Sequence, residues 1–526
     1  MLGMDRYSRL LLVLAPIAVV FFSLWQGAYD IDPHHWGLML SNAKDLYEGQ
    51  IPYKDIFIQY GILTTILQAL AFGVGKTMLS IIAITSVCYV IGILLVYATA
   101  LNVLKDKTTA LCVLILLVLF HPLAMYPWSN YIAFPFFMYG IYVSTNPNIE
   151  QSKQSIPLLL AGISLGLSVL AREGIAPAAF LFIVLSFAFD LLKKSQKKKV
   201  LSQFAICAIG FAIPLGIFFT YLFANGLMEY WVKLSINLPT IYVDESFGGF
   251  KVFIFNALFK EIYTGYRHGD VRWILTSWIL LSSLWIFILA LIGKRKDYVT
   301  PDLAKIALAT LLLVSSSLHL AETFRIATGS AVGLICLFAF LDARENKRTT
   351  HYFFAFMALW LGLTATYGNR GNYFYPTWDI VIKAQPVNTP EILRGQQWSS
   401  EAVTYYQSVE RTLKELKGQA CGLVYQHNNT RDSLLKVLSP LQQLQLAPFA
   451  TKEGMSALRP DLDASAEIKL AQRIVLIESV SKDSISLTEA PKGFSQYARF
   501  PIPTQYFMPN AQELVVYVPS ACMKYH

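Results

Sequence analysis

Residues 60–75 read YGILTTILQALAFGVG, and whether that run crosses a bilayer decides the topology of the whole chain. By composition it is apolar enough to be a span, but its surroundings argue otherwise. Apolar runs near the length needed to cross roughly 30 Å of hydrocarbon, about 20 residues, are expected near 10–28, 78–104, 108–122, 130–146, 156–173, 175–192, 200–223, 272–293, 302–321, 325–341 and 351–367. With 60–75 left out, the clusters Arg6/Arg9, Lys105/Lys107, Lys153, Lys193-Lys194 with Lys197-Lys198-Lys199, Lys294-Arg295-Lys296 and Arg344/Lys347/Arg348 all fall on one side. Counting it as a span throws the clusters at 193–199 and 294–296 to the other side. Cytoplasmic loops carry the excess of Lys and Arg, so 60–75 is predicted to be a re-entrant or interfacial helix along the outer surface.

The composition agrees. The 526 residues are 55% hydrophobic and 15% charged, with a mean hydropathy of +0.46, too apolar to cover a water-facing surface. The net charge of +9 does not point to nucleic acid, because the cations sit in short clusters between apolar runs. Cys88, Cys112, Cys207 and Cys336 lie inside those runs, where a thiol acts as a small hydrophobe. The first run ends Ser23-Leu24-Trp25-Gln26, with no small-x-small cleavage site, and reads as a retained anchor. From Gly368 onward the chain turns polar, with helix-like 400–417 and 431–446 and strand-like 421–425, 473–478 and 513–518. The expected architecture is an α-helical polytopic membrane protein with about eleven transmembrane helices in 1–367, followed by a C-terminal soluble α/β periplasmic domain in 368–526. Cys421 and Cys522 fall in that domain, where a disulfide is permitted.

Two outward loops, about 29–77 and 224–271, carry the candidate chemistry. The first opens Tyr29-Asp30-Ile31-Asp32-Pro33-His34-His35-Trp36, placing two carboxylates and two imidazoles at the membrane boundary. Ionisable groups there are expensive and point to function; the alternative is the solvated end of a helix. Further along come Gly49-Gln50-Ile51-Pro52-Tyr53-Lys54-Asp55 and Tyr60-Gly61-Ile62-Leu63. A third stretch, Gly166-Leu167-Ser168-Val169-Leu170-Ala171-Arg172-Glu173, puts Arg172 at an outer helix end, either for an anion or for an ion pair with Glu173 or a lipid headgroup. His319, Glu322 and Arg325 share one face if their helix continues, as a ligand site or as a network joining two spans. Arg267, His268 and Arg370 are further cations on that side. Gly248-Gly249 in the long second loop permits a hinge for a lid, or an ordinary turn. Gly75-Lys76-Thr77 does not complete a phosphate-binding loop, since residue 70, where that motif needs glycine, is Leu70.

In order and placement these segments resemble the GT-C superfamily of membrane glycosyltransferases, which includes the protein O-mannosyltransferases, the aminoarabinose transferases of lipid A and the bacterial arabinofuranosyltransferases. The matching positions are the acidic pair Asp30 and Asp32 after the first span, Gly49 to Tyr53 with Asp55, the Tyr60-Gly61-Ile62-Leu63 entry to the next helix, and the stretch ending at Arg172. The match in motif covers roughly the first 180 residues. The resemblance implies a polyprenyl-phosphate-linked sugar as donor and a hydroxyl of a glycan, lipid or secreted protein such as a pilin as acceptor, at the periplasmic face of a bacterial inner membrane. Phosphate leaves well, so the chemistry needs a base, worth on the order of 10²–10⁴-fold, and cations for the departing charge, without the paired acid of glycosidases. By position, Asp30 is implied as the base, with Asp32 orienting the acceptor. A divalent metal (Mg or Mn) on Asp30 and Asp32, with His34 or His35, is the other use of that pair. Arg172, His319, Arg325 and Arg267 are expected to bind the donor phosphate, and His34, His35, Tyr53, Asp55, Tyr60 and Glu322 to contact substrate. Membrane lipids are the remaining partners. The alternative functions are a lipid-linked sugar flippase or transporter, against which stands the lack of an internal repeat, and an oligosaccharide ligase.

Overall fold

The computed structural model of the chain describes residues 6–29, 35–56, 58, 60–120, 127–146, 155–193, 196–237, 263, 266–267, 271–293, 299–316, 328–344, 347–367, 378–417, 423–426, 434–438, 443–444, 473–480, 494–503 and 511–520. Its first two-thirds is helical: α1 (Arg6–Tyr29), α2 (His35–Tyr47), α3 (Ile62–Gly75), α4 (Met78–Leu104), α5 (Lys107–Phe120), α6 (Ser129–Ser144), α7 (Ser155–Ala171), α8 (Ala176–Lys193), α9 (Lys197–Ala224), the short α10 (Met228–Val232), α11 (Val271–Leu291), α12 (Pro301–Ser315), α13 (Leu334–Arg344) and α14 (Lys347–Tyr367). Each segment expected to span holds a helix among its described residues; parts of the expected spans, 317–321 and 325–327 among them, lie outside the described residues. Five of the helices are long and apolar enough to cross a membrane on those grounds alone: Arg9–Tyr29, Met78–Leu104, Glu173–Leu192, Lys197–Ala224 and Val271–Leu291. On α1 the exposed side chains Leu10, Val13, Leu14, Ile17 and Phe21 form a helical stripe suited to lipid.

Residues Ile62–Gly75 form α3, whose 14 residues reach about 21 Å at 1.5 Å per residue, the same length as α5. Its buried face includes Thr64, Thr65 and Gln68, while Ile66, Leu70 and Val74 are exposed at a spacing of four. Ile62, Ala69 and Phe72 are buried beside the polar residues, so the buried face of the helix is mixed. Its carboxyl end is Gly75-Lys76, with Lys76 left-handed and its N–H on the carbonyl of Phe72. The Gly-Lys-Thr sequence is therefore a helix cap.

Helices α7 and α9 pack backbone to backbone. A methyl placed on Gly162 would stand 2.0 Å from the carbonyl oxygen of Cys207, and one on Gly210 2.3 Å from that of Leu159. Small residues allow this close approach where lipid supplies no hydrophobic drive. Pro177 separates α7 from α8: its ring excludes a continuous helix through residue 173, four positions earlier. Arg172 is extended there (φ −152°, ψ 103°), followed by a single 3-10 turn, Glu173–Ile175.

In the tail, α15 (Trp378–Lys383), β1 (Gln385–Pro386), β2 (Gln397–Trp398) and α16 (Ser400–Lys417) precede β3 (Leu423–Gln426), α17 (Leu434–Leu438), β4 (Gln443–Leu444), β5 (Arg473–Val480), β6 (Phe494–Pro501) and β7 (Ala511–Pro519). The described strands form a mixed sheet ordered β4-β3-β5-β7-β6, parallel from β4 to β5 and antiparallel beyond. The helix expected over 431–446 is cut short. It ends at Leu438 and Gln443-Leu444 pairs as an edge strand, because Pro440 cannot supply a helical N–H and disfavours helix at the residue before it. Strand β6 was not anticipated. Cys421 and Cys522 lie outside the described residues.

Candidate functional site

The two segments singled out in the first loop and at the end of α7 meet. Gly49 ends α2 with φ +90°, its N–H on the carbonyl of Leu46, as a glycine closing a helix does. The chain then makes a tight turn in which the Asp55 carboxylate accepts the N–H of Ile51 (3.0 Å) and the N–H of Asp55 reaches the carbonyl of Ile51 (2.9 Å). This turn carries Tyr53 at φ +67°, an uncommon conformation for a bulky residue and one associated with functional sites. It aims the buried Tyr53 hydroxyl at Glu173, donating to Oε1 at 3.2 Å. The indole Nε1 of Trp231, on α10, donates to the same oxygen at 3.1 Å. One carboxylate thus ties together the first loop, the α7–α8 junction and α10.

Below that latch, Gly61 lies flat on the end of α7. A methyl at this position would fall 2.3 Å from the carbonyl oxygen of Ala171, and φ is +83°, so both space and backbone call for glycine. Thr64 donates to the same carbonyl at 2.7 Å. Arg172, the next residue, is only 6% exposed. The Tyr60 ring meets the buried Trp128 edge-on at 4.7 Å, and the His35 ring lies 5.0 Å from it. Gln68 donates to the carbonyl of Pro127 at 2.8 Å. A hydrophobic core of Leu38, Tyr53, Ile56, Ile58, Ile62, Phe218, Leu222, Leu227 and Leu234 supports the assembly. Burial, and after it the negative charge of Glu173, holds the Tyr53 hydroxyl well above its ordinary pKa, so it stays a neutral donor.

Of the expected site residues, Tyr60 and His35 meet at Trp128, Tyr53 reaches Glu173, and the buried Arg172 lies in sequence between Glu173 and Ala171, whose carbonyl is under Gly61. The structure gives Asp55 a local part in closing its own turn and leaves Arg267 exposed. Asp30, Asp32, His34, His319, Glu322 and Arg325 lie outside the described residues, as do His268 and Arg370. Among the described residues no group of three or more His, Cys, Asp or Glu side chains could hold a metal ion. Glu173 was read in the sequence only as a possible partner of Arg172, and Trp231 was not singled out. The signal for Trp231 is an indole just past a predicted span, where tryptophan gathers at membrane boundaries.

A second buried polar cluster, also not anticipated, lies at the other ends of these helices. Lys305 of α12 pairs with Asp190 of α8 at 2.9 Å and donates to the carbonyl of Ser144 on α6 at 3.1 Å, with the two charged side chains 4% and 9% exposed. Asp190 is roughly 25 Å along the helix from Glu173 at 1.5 Å per residue. A charge pair inside an apolar bundle is costly to break, and this one joins three helices at the end away from the latch.

No family model matches the sequence, and no curated protein matches it. Among solved structures, the crystal structure of ArnT from Cupriavidus metallidurans in the apo state is similar over 98% of this chain and 98% of that one, with a TM-score of 0.54 and 10% identity. The structure of ArnT from the same organism bound to undecaprenyl phosphate is similar over 97% of each chain, with a TM-score of 0.51 and 9% identity. At such identity the likeness is one of fold, and it covers nearly the whole of both chains.

Proposed function

We propose that this membrane protein is a glycosyltransferase of GT-C type that moves one sugar from a polyprenyl-phosphate donor to a hydroxyl acceptor on the periplasmic face. The observation that carries the reading is the meeting of Gly61 and Tyr53 with Ala171 and Glu173, which joins two segments resembling that superfamily. The likeness of fold to ArnT, solved with undecaprenyl phosphate bound, supports a lipid-phosphate donor. The acceptor oxygen attacks the anomeric carbon, the bond from that carbon to the phosphate oxygen breaks, and the acceptor proton passes to Asp30. Polyprenyl phosphate departs with the electron pair, its charge held by Arg172 and, from the segment after α12, by His319 and Arg325. Asp32 orients the acceptor. A carboxylate pair with a neighbouring imidazole also suits a divalent cation, which would polarise the phosphate when bound.

In this reading residues 1–367 form the catalytic membrane domain with the N-terminus in the cytoplasm, and 368–526 a periplasmic α/β domain. The acceptor is a glycan, a lipid or a secreted protein. The test is to incubate the purified protein with a synthetic polyprenyl-phosphate sugar and candidate acceptors. Release of polyprenyl phosphate with a glycosylated acceptor is the expected result. Passage of intact lipid-linked sugar across vesicles without cleavage would replace the reading with a flippase.

A further inference from the structure

The tail rests on α1 and α2. Helix α1 ends at Tyr29 and α2 begins at His35. Strand β2 of the tail packs against α1, and α17 packs against α2. A third contact lies between them: the turn at Gly395 sits so close to Leu79, at the start of α4, that a methyl on the glycine would fall 2.7 Å from the leucine side chain. Helix α17 has five residues, too few to be stable in water by itself. Yet Leu434 and Leu435 are 1% and 0% exposed, and both belong to one hydrophobic core with Trp36, Met39, Leu40 and Ala43 of α2. From the same helix, Leu38 enters the separate core around Tyr53, Phe218 and Leu227. Helix α2 is thereby held between the tail and the latch.

We infer that the tail is a working part of the site: through Leu434 and Leu435 it fixes α2, and with it His35 and the core that Leu38 shares with Tyr53. Leu434 and Leu435 are positioning residues, acting through α2 without touching substrate. The word site rests on the proposed transferase reading; the docking does not. Since a misplacement of about 1 Å costs on the order of 10²-fold in rate, undocking lowers kcat steeply and leaves the apparent KM for donor, set by other elements, little changed.

The experiment compares full-length protein in nanodiscs with Leu435→Asp, Leu434→Ala and the volume-conserving Leu435→Met, reading hydrogen exchange across residues 35–47 and 155–171 together with kcat and donor KM. The expected result is faster exchange across 35–47 in Leu435→Asp with 155–171 unchanged, a fall in kcat of about a hundredfold at near-constant KM, and a return of both readouts toward the parent in Leu435→Met. If Leu435→Asp loosens 155–171 as well, the milder Leu434→Ala is judged by the same readouts. Unchanged exchange across 35–47, or faster exchange with unaltered kcat, would overturn the inference. A parent protein without transferase activity would count against the function, while the exchange data would still decide the docking.

Discussion

Glu173 concentrates the account at the scale of single residues. It accepts from Tyr53 and from Trp231, so removing its carboxylate strands two donors, the Tyr53 one buried, each costing about 1–3 kcal/mol. Glu173→Ala is expected to lower thermal stability in detergent accordingly, and a melting temperature equal to the parent's would show that the latch carries no load. Arg172→Ala is expected to raise the apparent KM for a polyprenyl-phosphate sugar about tenfold or more, the size of a lost charge-assisted hydrogen bond, at similar stability. An unchanged donor requirement would remove Arg172 from the phosphate site. The sequence showed Tyr53, Tyr60, Gly61 and Arg172 as notable. That Tyr53 and Glu173 meet across 120 positions of sequence was not legible, because the encounter depends on a left-handed turn at Tyr53 that no local pattern announces.

Among the elements, helix positions were the most legible feature, since an apolar run near membrane thickness leaves few other options. Helix α3 was read as an interfacial helix from charge balance alone, and a helix forms at the expected place. The α7–α9 contact was less visible. Gly162 and Gly166 stand four apart, a spacing that by itself marks close helix approach, but Gly166 was read only as the start of a longer resemblance and Gly162 was not singled out. Gly162→Leu is expected to destabilise the bundle by about 3 kcal/mol, at the upper end for overpacking, because the clash is with backbone. A variant that melts with the parent would mean that α7 and α9 do not approach so closely in the membrane. The Lys305–Asp190 pair escaped notice because each residue, taken alone, reads as the solvated end of a helix.

For the whole molecule, cation clusters predict which side each loop faces, and the likeness of fold to ArnT covers 98% of the chain. A cysteine at Gln496, exposed on β6, is expected to react with a membrane-impermeant thiol reagent in intact cells above the background of the parent chain. One at Lys198 is expected to react only after the membrane is opened, and the reverse pattern would invert the topology. The tail's packing on α1 and α2 was beyond the sequence, since contacts between distant segments leave no periodicity to read. The central claim is transfer with Asp30 as base, and its most direct test is release of polyprenyl phosphate from a synthetic polyprenyl-phosphate sugar by purified parent and Asp30→Asn protein at equal abundance. The account predicts turnover in the parent and a loss of about 10²-fold or more in the variant; equal turnover in both would contradict it.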